Sequence, residues 1–146
     1  MFKHILIATD GSKLAKKAEK AGIAFARQSG ARVTGYCAVR EPHFRHTRHA
    51  ELNDEITAEL ERRARDSAEK CVAAIGKAAK AAGVIFRPLV TKADVPSRGI
   101  IDAAKKHKCD AIFLASHGRG GVSGLIMGSV THEVLAHSTI PVVVFR

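Results

Sequence analysis

Short apolar runs alternate along this chain with longer segments whose apolar residues recur at helical spacing. The runs are HILIATD, RVTGYCAV, VIFRPLV, DAIFLAS and IPVVVFR, and each has the length and hydrophobicity of a buried strand. Pro88 interrupts VIFRPLV, which favours a strand at the edge of a sheet. Five strands separated by helices predict an α/β fold, with an open five-stranded parallel sheet, right-handed crossovers and helices on both faces.

The segments between these runs carry signals for where helices begin and end. Ser12 is placed to cap a first helix, Gly30 to end it, and Pro96 to open a third. We expect the first helix to bury one stripe: Leu14, Ala18, Ala21 and Phe25. We expect the second and longest helix, which stops at Gly83, to bury another: Ile56, Leu60, Ala64, Cys71, Ile75, Ala78 and Ala82.

Length and composition set the class of protein. The 146 residues are 46% hydrophobic and 26% charged, which fits one globular domain over residues 1–146. Neither a signal peptide nor an apolar run long enough to span a bilayer is recognisable, so we expect a soluble, cytoplasmic chain without membrane contacts. Cys37, Cys71 and Cys109 lack the spacing of a zinc site or a redox pair and are interpreted as reduced core residues.

The formal charge of +10 raises the possibility of a nucleic-acid partner. Along the sequence the cations are spread over helical segments such as KLAKKAEK, ERRARDSAEK and DAAKKHKC, where acids and alanines separate most of them. No aromatic residue stands among them to stack on bases. We therefore interpret them as solvated helix faces and expect no nucleic-acid partner.

A cluster of glycines follows the fourth strand. ASHGRGGVSGLIMGSV, residues 115–130, holds five glycines in sixteen positions and leads into the short helical segment GSVTHEVLAH. Successive N–H groups of a glycine-rich turn and the N–H groups of a helix start both bind phosphate oxygens. If the first and fourth strands are neighbours, this loop shares a crevice with the Asp10-Gly11 turn. The alternative is a mobile loop before an ordinary helix start.

The other motifs give weaker evidence of function. No Gly-Lys pair precedes Ser or Thr, which excludes a Walker loop, and Ser123 stands where a dinucleotide fingerprint needs its third glycine. The histidines of the polar stretch after the second strand are interpreted as solvated loop residues and not as metal ligands: His43, His46 and His49. His117 has no evident orienting partner for acid or base catalysis, and Ser12 fits a helix cap better than a nucleophile.

Three stretches, ILIATDGS, SHGRGGVSGLIMGSV and IPVVVFR, together resemble the universal stress protein family, specifically its ATP-binding branch. The fingerprint of that branch is Gly, two residues, Gly, nine residues, then Gly followed by Ser or Thr. Gly118 and Gly128-Ser129 match it, whereas Ala115 takes the first glycine position and adds a methyl group where backbone approaches the nucleotide. The resemblance covers essentially the whole chain and implies the strand order 3-2-1-4-5.

The resemblance implies an ATP-binding regulatory or stress-response module that is a homodimer through its C-terminal strand. Asp10 is expected to face the ribose, and backbone of Ala8 and Ala38 to lie near the adenine. Magnesium would be held mainly by the phosphates, and no residue is assigned as catalytic. A slow ATP hydrolase and a basic interaction protein without nucleotide remain alternatives. The nucleotide-binding residues expected are Ala8, Thr9, Asp10, Ala38, Ala115, His117, Gly118, Arg119, Gly120, Gly121, Gly128, Ser129, Val130 and Thr131.

Overall fold

Five parallel strands form one sheet in the order β3-β2-β1-β4-β5, with helices on both faces. The structure is a computed structural model and describes residues 1–40, 53–119 and 127–146. This architecture confirms the expected α/β fold and strand order. The elements are β1 (His4–Ala8), α1 (Lys13–Ser29), β2 (Arg32–Val39), α2 (Asn53–Ala81), β3 (Phe86–Lys92), α3 (Pro96–Lys106), β4 (Ala111–Ala115), α4 (Ser129–His137) and β5 (Val142–Phe145).

The two central strands, β1 and β4, are buried over their whole length. Leu6 and Ile112 point to the face covered by α3 and α4, while Ile5, Ile7 and Phe113 point to the face covered by α1 and α2. Burying one such side chain contributes about 1.5–3 kcal/mol. The apolar character of both runs on both faces therefore explains why these strands occupy the middle of the sheet.

The ends of α1 agree with the sequence prediction. Ser12 is the N-cap, and its hydroxyl accepts the N–H of Ala15 at 3.1 Å. Gly30 ends the helix in the left-handed conformation, with φ of 69°. The buried stripe lies about one residue away from the predicted one, and Ala18 is the member that both share: Ala15, Ala18, Gly22, Ile23 and Ala26.

The predicted apolar stripe of α2 is correct at buried Ile75, partly correct at half-buried Cys71 and Ala82, and wrong at the other positions, which are exposed: Ile56, Leu60, Ala64 and Ala78. Ile56 and Leu60 are 57% and 41% exposed, and the buried residues of this helix are Ala68, Val72, Ile75 and Ala79. The helix of 29 residues is about 43 Å long, whereas the eight residues of β2 span about 26 Å. The sheet therefore covers only the second half of α2.

The edge strand and the cysteines behave as expected. β3, which contains Pro88, lies at one edge of the sheet, and β5 lies at the other. All three cysteines are free thiols, of which Cys37 and Cys109 are buried and Cys71 is half-buried. Burial raises the pKa of the Cys37 and Cys109 thiols to about 11, which keeps both protonated at neutral pH.

Candidate functional site

The candidate site lies where the strand order reverses, at the carboxyl ends of β1 and β4. These two strands are hydrogen-bonded neighbours, and the chain leaves them toward opposite sides of the sheet. Loops that follow such a pair diverge and leave a crevice above the strand ends. Residues 9–12 after β1 and residues 116–119 after β4 belong to these two loops, whereas Gly120 and Gly121 lie outside the described residues.

Asp10 joins the two loops. One carboxylate oxygen accepts the N–H of Arg119 at 2.7 Å, and the other accepts the N–H of Ser12 at 2.9 Å. A Cβ atom added to Gly118 would collide with the carboxylate of Asp10. Glycine at this position therefore allows the loop after β4 to approach the turn after β1.

The hydrogen bonds of Asp10 favour its charged form. Burial raises the pKa of the Asp10 carboxyl, but the hydrogen bonds from Ser12 and Arg119, together with the charge of Arg119, outweigh burial and hold the pKa below its ordinary value. Asp10 is thus an anion at neutral pH. A carboxylate oxygen that accepts one N–H can still accept a second donor, such as a hydroxyl.

The Asp10-Gly11 turn is supported from below by α1. The N–H of Gly11 donates to the hydroxyl oxygen of Thr9 at 3.0 Å, and the Thr9 hydroxyl donates to the carboxylate of Glu19. Burial raises the pKa of Glu19 against the opposing effect of this hydrogen bond. This chain of hydrogen bonds fixes the turn to the first helix.

Gly11 itself adopts φ of 76°, a conformation that side chains rarely adopt. A Cβ atom there would lie 2.6 Å from the sulfur of Cys71 and 3.1 Å from Nη2 of Arg119. The guanidinium of Arg119 therefore lies against the turn. The cation of Arg119 and the start of α1 therefore lie on the same side of the site.

The start of α4 forms the other side of the candidate site. Its N-cap is Gly128, whose N–H donates to the carbonyl of Ser116 at 2.7 Å and which offers no side chain to cap the helix. The N–H groups of the first turn, from Ser129 and Val130 onward, have no partners within the helix and are free to bind an anion. Thr131 is buried, and its hydroxyl donates to the carbonyl of Ala115 at 2.7 Å.

Small residues line the strand ends on the α3 side. Ala8 is buried in the layer that contains Leu114, and half-buried Ala38 packs against the same layer. The N–H of Thr9 donates to the carbonyl of Tyr36 at 2.9 Å, which holds the end of β1 against β2. Ala115 ends β4 and is 8% exposed.

His117 has a partner that the sequence did not reveal. Its Nδ1 lies 2.7 Å from the hydroxyl of buried Ser116. Sequence reasoning also missed Glu19 and Cys71, because each reaches the turn through helix packing. The bond from Asp10 to the N–H of Ser12 is local, and an Asp-Gly-Ser sequence is itself the signal for it.

Metal and membrane features are absent from the part of the chain that the structure describes. Over these ranges no three His, Cys, Asp or Glu side chains come together as metal ligands. None of the described helices is both long and apolar enough to cross a bilayer. The predicted solvated histidines lie outside the described residues: His43, His46 and His49.

Comparison with known sequences identifies relatives along the whole chain. A model of the universal stress protein family matches residues 1–146. A universal stress protein of Thermus aquaticus, named for the QAH/OAS sulfhydrylase 3′ region, is 32% identical over 147 residues that cover 100% of both chains. Universal stress protein MJ0531 of Methanocaldococcus jannaschii is 28% identical and covers 100% of this chain and 83% of its own.

Solved structures share the fold. Universal stress protein UspA from Lactobacillus plantarum has a TM-score of 0.86 at 23% identity, over 99% of this chain and 97% of its own. Protein MJ0577 has a TM-score of 0.83 at 26% identity, over 99% and 96%. A universal stress protein in complex with cAMP covers 98% of this chain and 95% of its own, at a TM-score of 0.67 and 20% identity. One from Archaeoglobus fulgidus in complex with dAMP covers 100% and 98%, at 0.59 and 18%.

Proposed function

This chain belongs to the universal stress protein family, and from that premise we propose that it is an ATP-binding regulatory module. The observation that carries the proposal is the hydrogen bond from the N–H of Arg119 to Asp10, which brings the glycine-rich loop against the turn after β1. That contact joins one anionic group to a set of N–H donors at the switch point of the sheet. The crevice thus has one part suited to a ribose and another suited to phosphates.

The phosphate part is formed by backbone donors and one cation. N–H groups at the start of α4, the guanidinium of Arg119 and the N–H groups of the glycine-rich loop offer the charge-assisted hydrogen bonds that a triphosphate accepts. Each is worth about 1.5–3 kcal/mol. Several of them leave about 8 kcal/mol after the cost of association, which corresponds to micromolar affinity.

The nucleoside part is formed by Asp10 and the small residues at the strand ends. Asp10 is ionised and keeps lone pairs for a ribose hydroxyl. Ala8 and Ala38 have only methyl side chains at the ends of β1 and β2, where the planar base is proposed to lie. Relatives in complex with cAMP and dAMP, which are both adenine nucleotides, support this class of ligand.

Binding, and not turnover, is the proposed activity. Fast phosphoryl transfer needs a positioned base, a metal held by protein ligands and cations at the developing charge. His117 contacts a serine hydroxyl and not a carboxylate, and Glu133 accepts a hydrogen bond from Ser97. Magnesium would be held mainly by the phosphates, with the hydroxyl of Ser129 as a protein ligand.

Calorimetric titration of Gly118→Val with ATP tests the site. The branched side chain would meet the Asp10 carboxylate and displace the loop, so affinity is expected to fall at least tenfold. Gly118 is exposed, so the fold is expected to survive. Ala74→Val is the matched control, because it adds a branched side chain on an exposed position of α2.

Unchanged ATP binding in folded Gly118→Val would refute the assignment of this loop to the phosphates. A wild-type chain that stays free of nucleotide in native mass spectrometry at saturating ATP would favour an interaction protein without nucleotide.

A steady-state ATPase assay tests the regulatory assignment. Turnover is expected to lie far below the roughly 1–100 per second typical of kinases. His117→Ala is expected to leave this slow rate nearly unchanged, because the Nδ1 of His117 contacts the hydroxyl of Ser116 and not a carboxylate that would orient it as a base. Turnover in the kinase range that disappears in His117→Ala with binding intact would make the protein an enzyme instead.

A further inference from the structure

Eight exposed lysines and arginines gather at the end of the sheet opposite the crevice. Some belong to strand starts and turns, and others to the last turns of helices. None of them takes part in an ion pair with any side chain in the described ranges. These residues define the amino-end face: Lys3, Arg27, Arg32, Lys80, Arg87, Lys105, Lys106 and Lys108.

The register of the sheet places three of these cations on or beside neighbouring strands, at successive levels along the strand direction. The N–H of Arg32 donates to the carbonyl of Lys3 at 3.0 Å, and Arg87 pairs with Thr34 on the next strand. Strands lie about 4.8 Å apart and rise about 3.3 Å per residue, so Arg87 lies about 10 Å across the sheet from Lys3 and about 10 Å further along it. Val33 and Phe86 point to the α2 side, so Arg32 and Arg87 share the α3 side, and the amino-end face is a cluster of cations and not a straight row.

Few acidic side chains of the described residues offset the positive charge of the amino-end face. Asp110 is the carboxylate at this end of the described chain, and its oxygens accept the N–H groups of Lys3 at 2.7 Å and His4 at 3.1 Å. The crowding of positive charge is visible at His107, whose pKa is lowered by burial and then by the charges of Arg87 and Lys106. The cations of the amino-end face repel one another, and an anionic partner would reduce that repulsion.

Helix dipoles account for only part of the face. Cations in the last turn of a helix offset its negative end, which explains Arg27, Lys80 and the lysines that end α3. Lys3, which precedes β1, and Arg32 and Arg87, which lie on strands, do not belong to a helix end of this kind. A second role is needed for these three cations.

We propose that the amino-end face binds duplex nucleic acid through its backbone phosphates, without reading base sequence. The phosphates of a duplex present an array of negative charge to this cluster of cations, and counterion release drives such binding. Phe2 and Phe25 stand near this end, but their rings pack on each other at 6.1 Å and on the core. Because they cannot stack on bases, the face favours a duplex over a single strand.

The cations come from six separate segments of the chain, which explains why the linear sequence showed no cluster. The five residues of β1 place the face about 17 Å from the nucleotide crevice. Both surfaces can be occupied at once. This inference therefore does not depend on ATP binding.

Fluorescence anisotropy with a labelled DNA duplex of about 20 base pairs, titrated with the full chain, tests the proposal. Four phosphate contacts would give a salt slope of about −3.6, so affinity is expected to fall roughly 150-fold between about 50 and 200 mM salt. Absence of saturable binding at the lower salt concentration would overturn the proposal. Binding to phosphatidylserine vesicles but not to the duplex would equally overturn it, in favour of a lipid surface.

The double variant Arg32→Gln/Arg87→Gln tests whether the duplex binds at the amino-end face. Removing two contacts is expected to weaken binding at least tenfold at low salt and to reduce the slope by about 1.8. Lys70→Gln/Arg98→Gln removes the same charge from exposed positions away from the face and is expected to bind like wild type. Equal losses in both variants would show that net charge alone is responsible and would refute the assigned face.

A second pair, Lys3→Gln/Lys106→Gln, repeats the test with other members of the face and is expected to show the same loss. ATP titration of every variant separates the two proposals, because a change confined to duplex binding leaves the nucleotide site intact.

Discussion

Buried His4 contributes to the pH dependence of the stability of the folded chain. His4 is 7% exposed at the start of β1, where its Nε2 lies 2.8 Å from the hydroxyl of Thr34. Burial lowers the pKa of His4, the charge of Arg32 lowers it further, and Asp110 opposes both. The ring is therefore neutral in the folded chain under conditions in which an exposed histidine is protonated.

Stability is expected to fall as the pH falls through about 6.5, the ordinary histidine pKa. Below that pH the unfolded chain binds a proton that folded His4 does not, and the loss continues down to the lowered pKa of the folded state. Urea unfolding of wild type and His4→Val at several pH values measures this loss of stability. The difference between the two free energies of unfolding should change by up to about 1.4 kcal/mol per pH unit. A difference that is constant from pH 7.5 to pH 5 would show that His4 does not titrate in this way.

At the scale of elements, the strands were predictable and the helix faces were less so. Continuous apolar runs such as the one around Leu6 and Ile7 have one plausible environment, a strand buried on both faces. An alanine-rich helix offers several adjacent stripes of similar apolarity. α2 buries Val72 and leaves Ile56 exposed because the sheet decides which half of the helix is covered, and sequence spacing does not contain that information.

The candidate site also has parts that were predictable from the sequence and parts that were not. The cap at Ser12 and the turn at Asp10 are local and were readable, since each depends on residues within three positions. The contacts of Asp10 with the N–H of Arg119 and of Thr9 with Glu19 join different elements. They follow from how β1, β4 and α1 pack, so a sequence without its fold predicts the loop but not the contacts that hold it.

At the scale of the whole molecule, the two edges of the sheet are not equivalent. Ile85, just before β3, accepts the N–H of Val33 at 2.8 Å, so the odd-numbered residues of β3 that follow it direct their N–H and C=O groups toward β2. The even-numbered residues face outward, and Pro88 is one of them, so this edge lacks an N–H in its middle. Proline at such a position discourages pairing with another chain.

The β5 edge carries no such protection. Pro141 and Phe145 accept N–H groups from β4, so Val142 and Val144 direct their N–H and C=O groups outward. An apolar edge strand of this kind favours pairing with a second copy. We therefore propose a twofold homodimer in which two β5 strands pair antiparallel, so that nucleotide bound to one protomer acts within an assembly.

Val144→Pro tests that interface by giving β5 the feature that β3 already has. The substitution removes one outward N–H from each protomer without removing a bond to β4, which uses Phe145 instead. Two lost hydrogen bonds of about 0.5–1.5 kcal/mol each are expected to raise the dimer dissociation constant at least fivefold in sedimentation velocity. Val144→Ala keeps the N–H and controls for the lost side chain. A wild-type chain that is monomeric at high micromolar concentration, or a proline variant that dimerises as tightly as the alanine variant, would contradict pairing through β5.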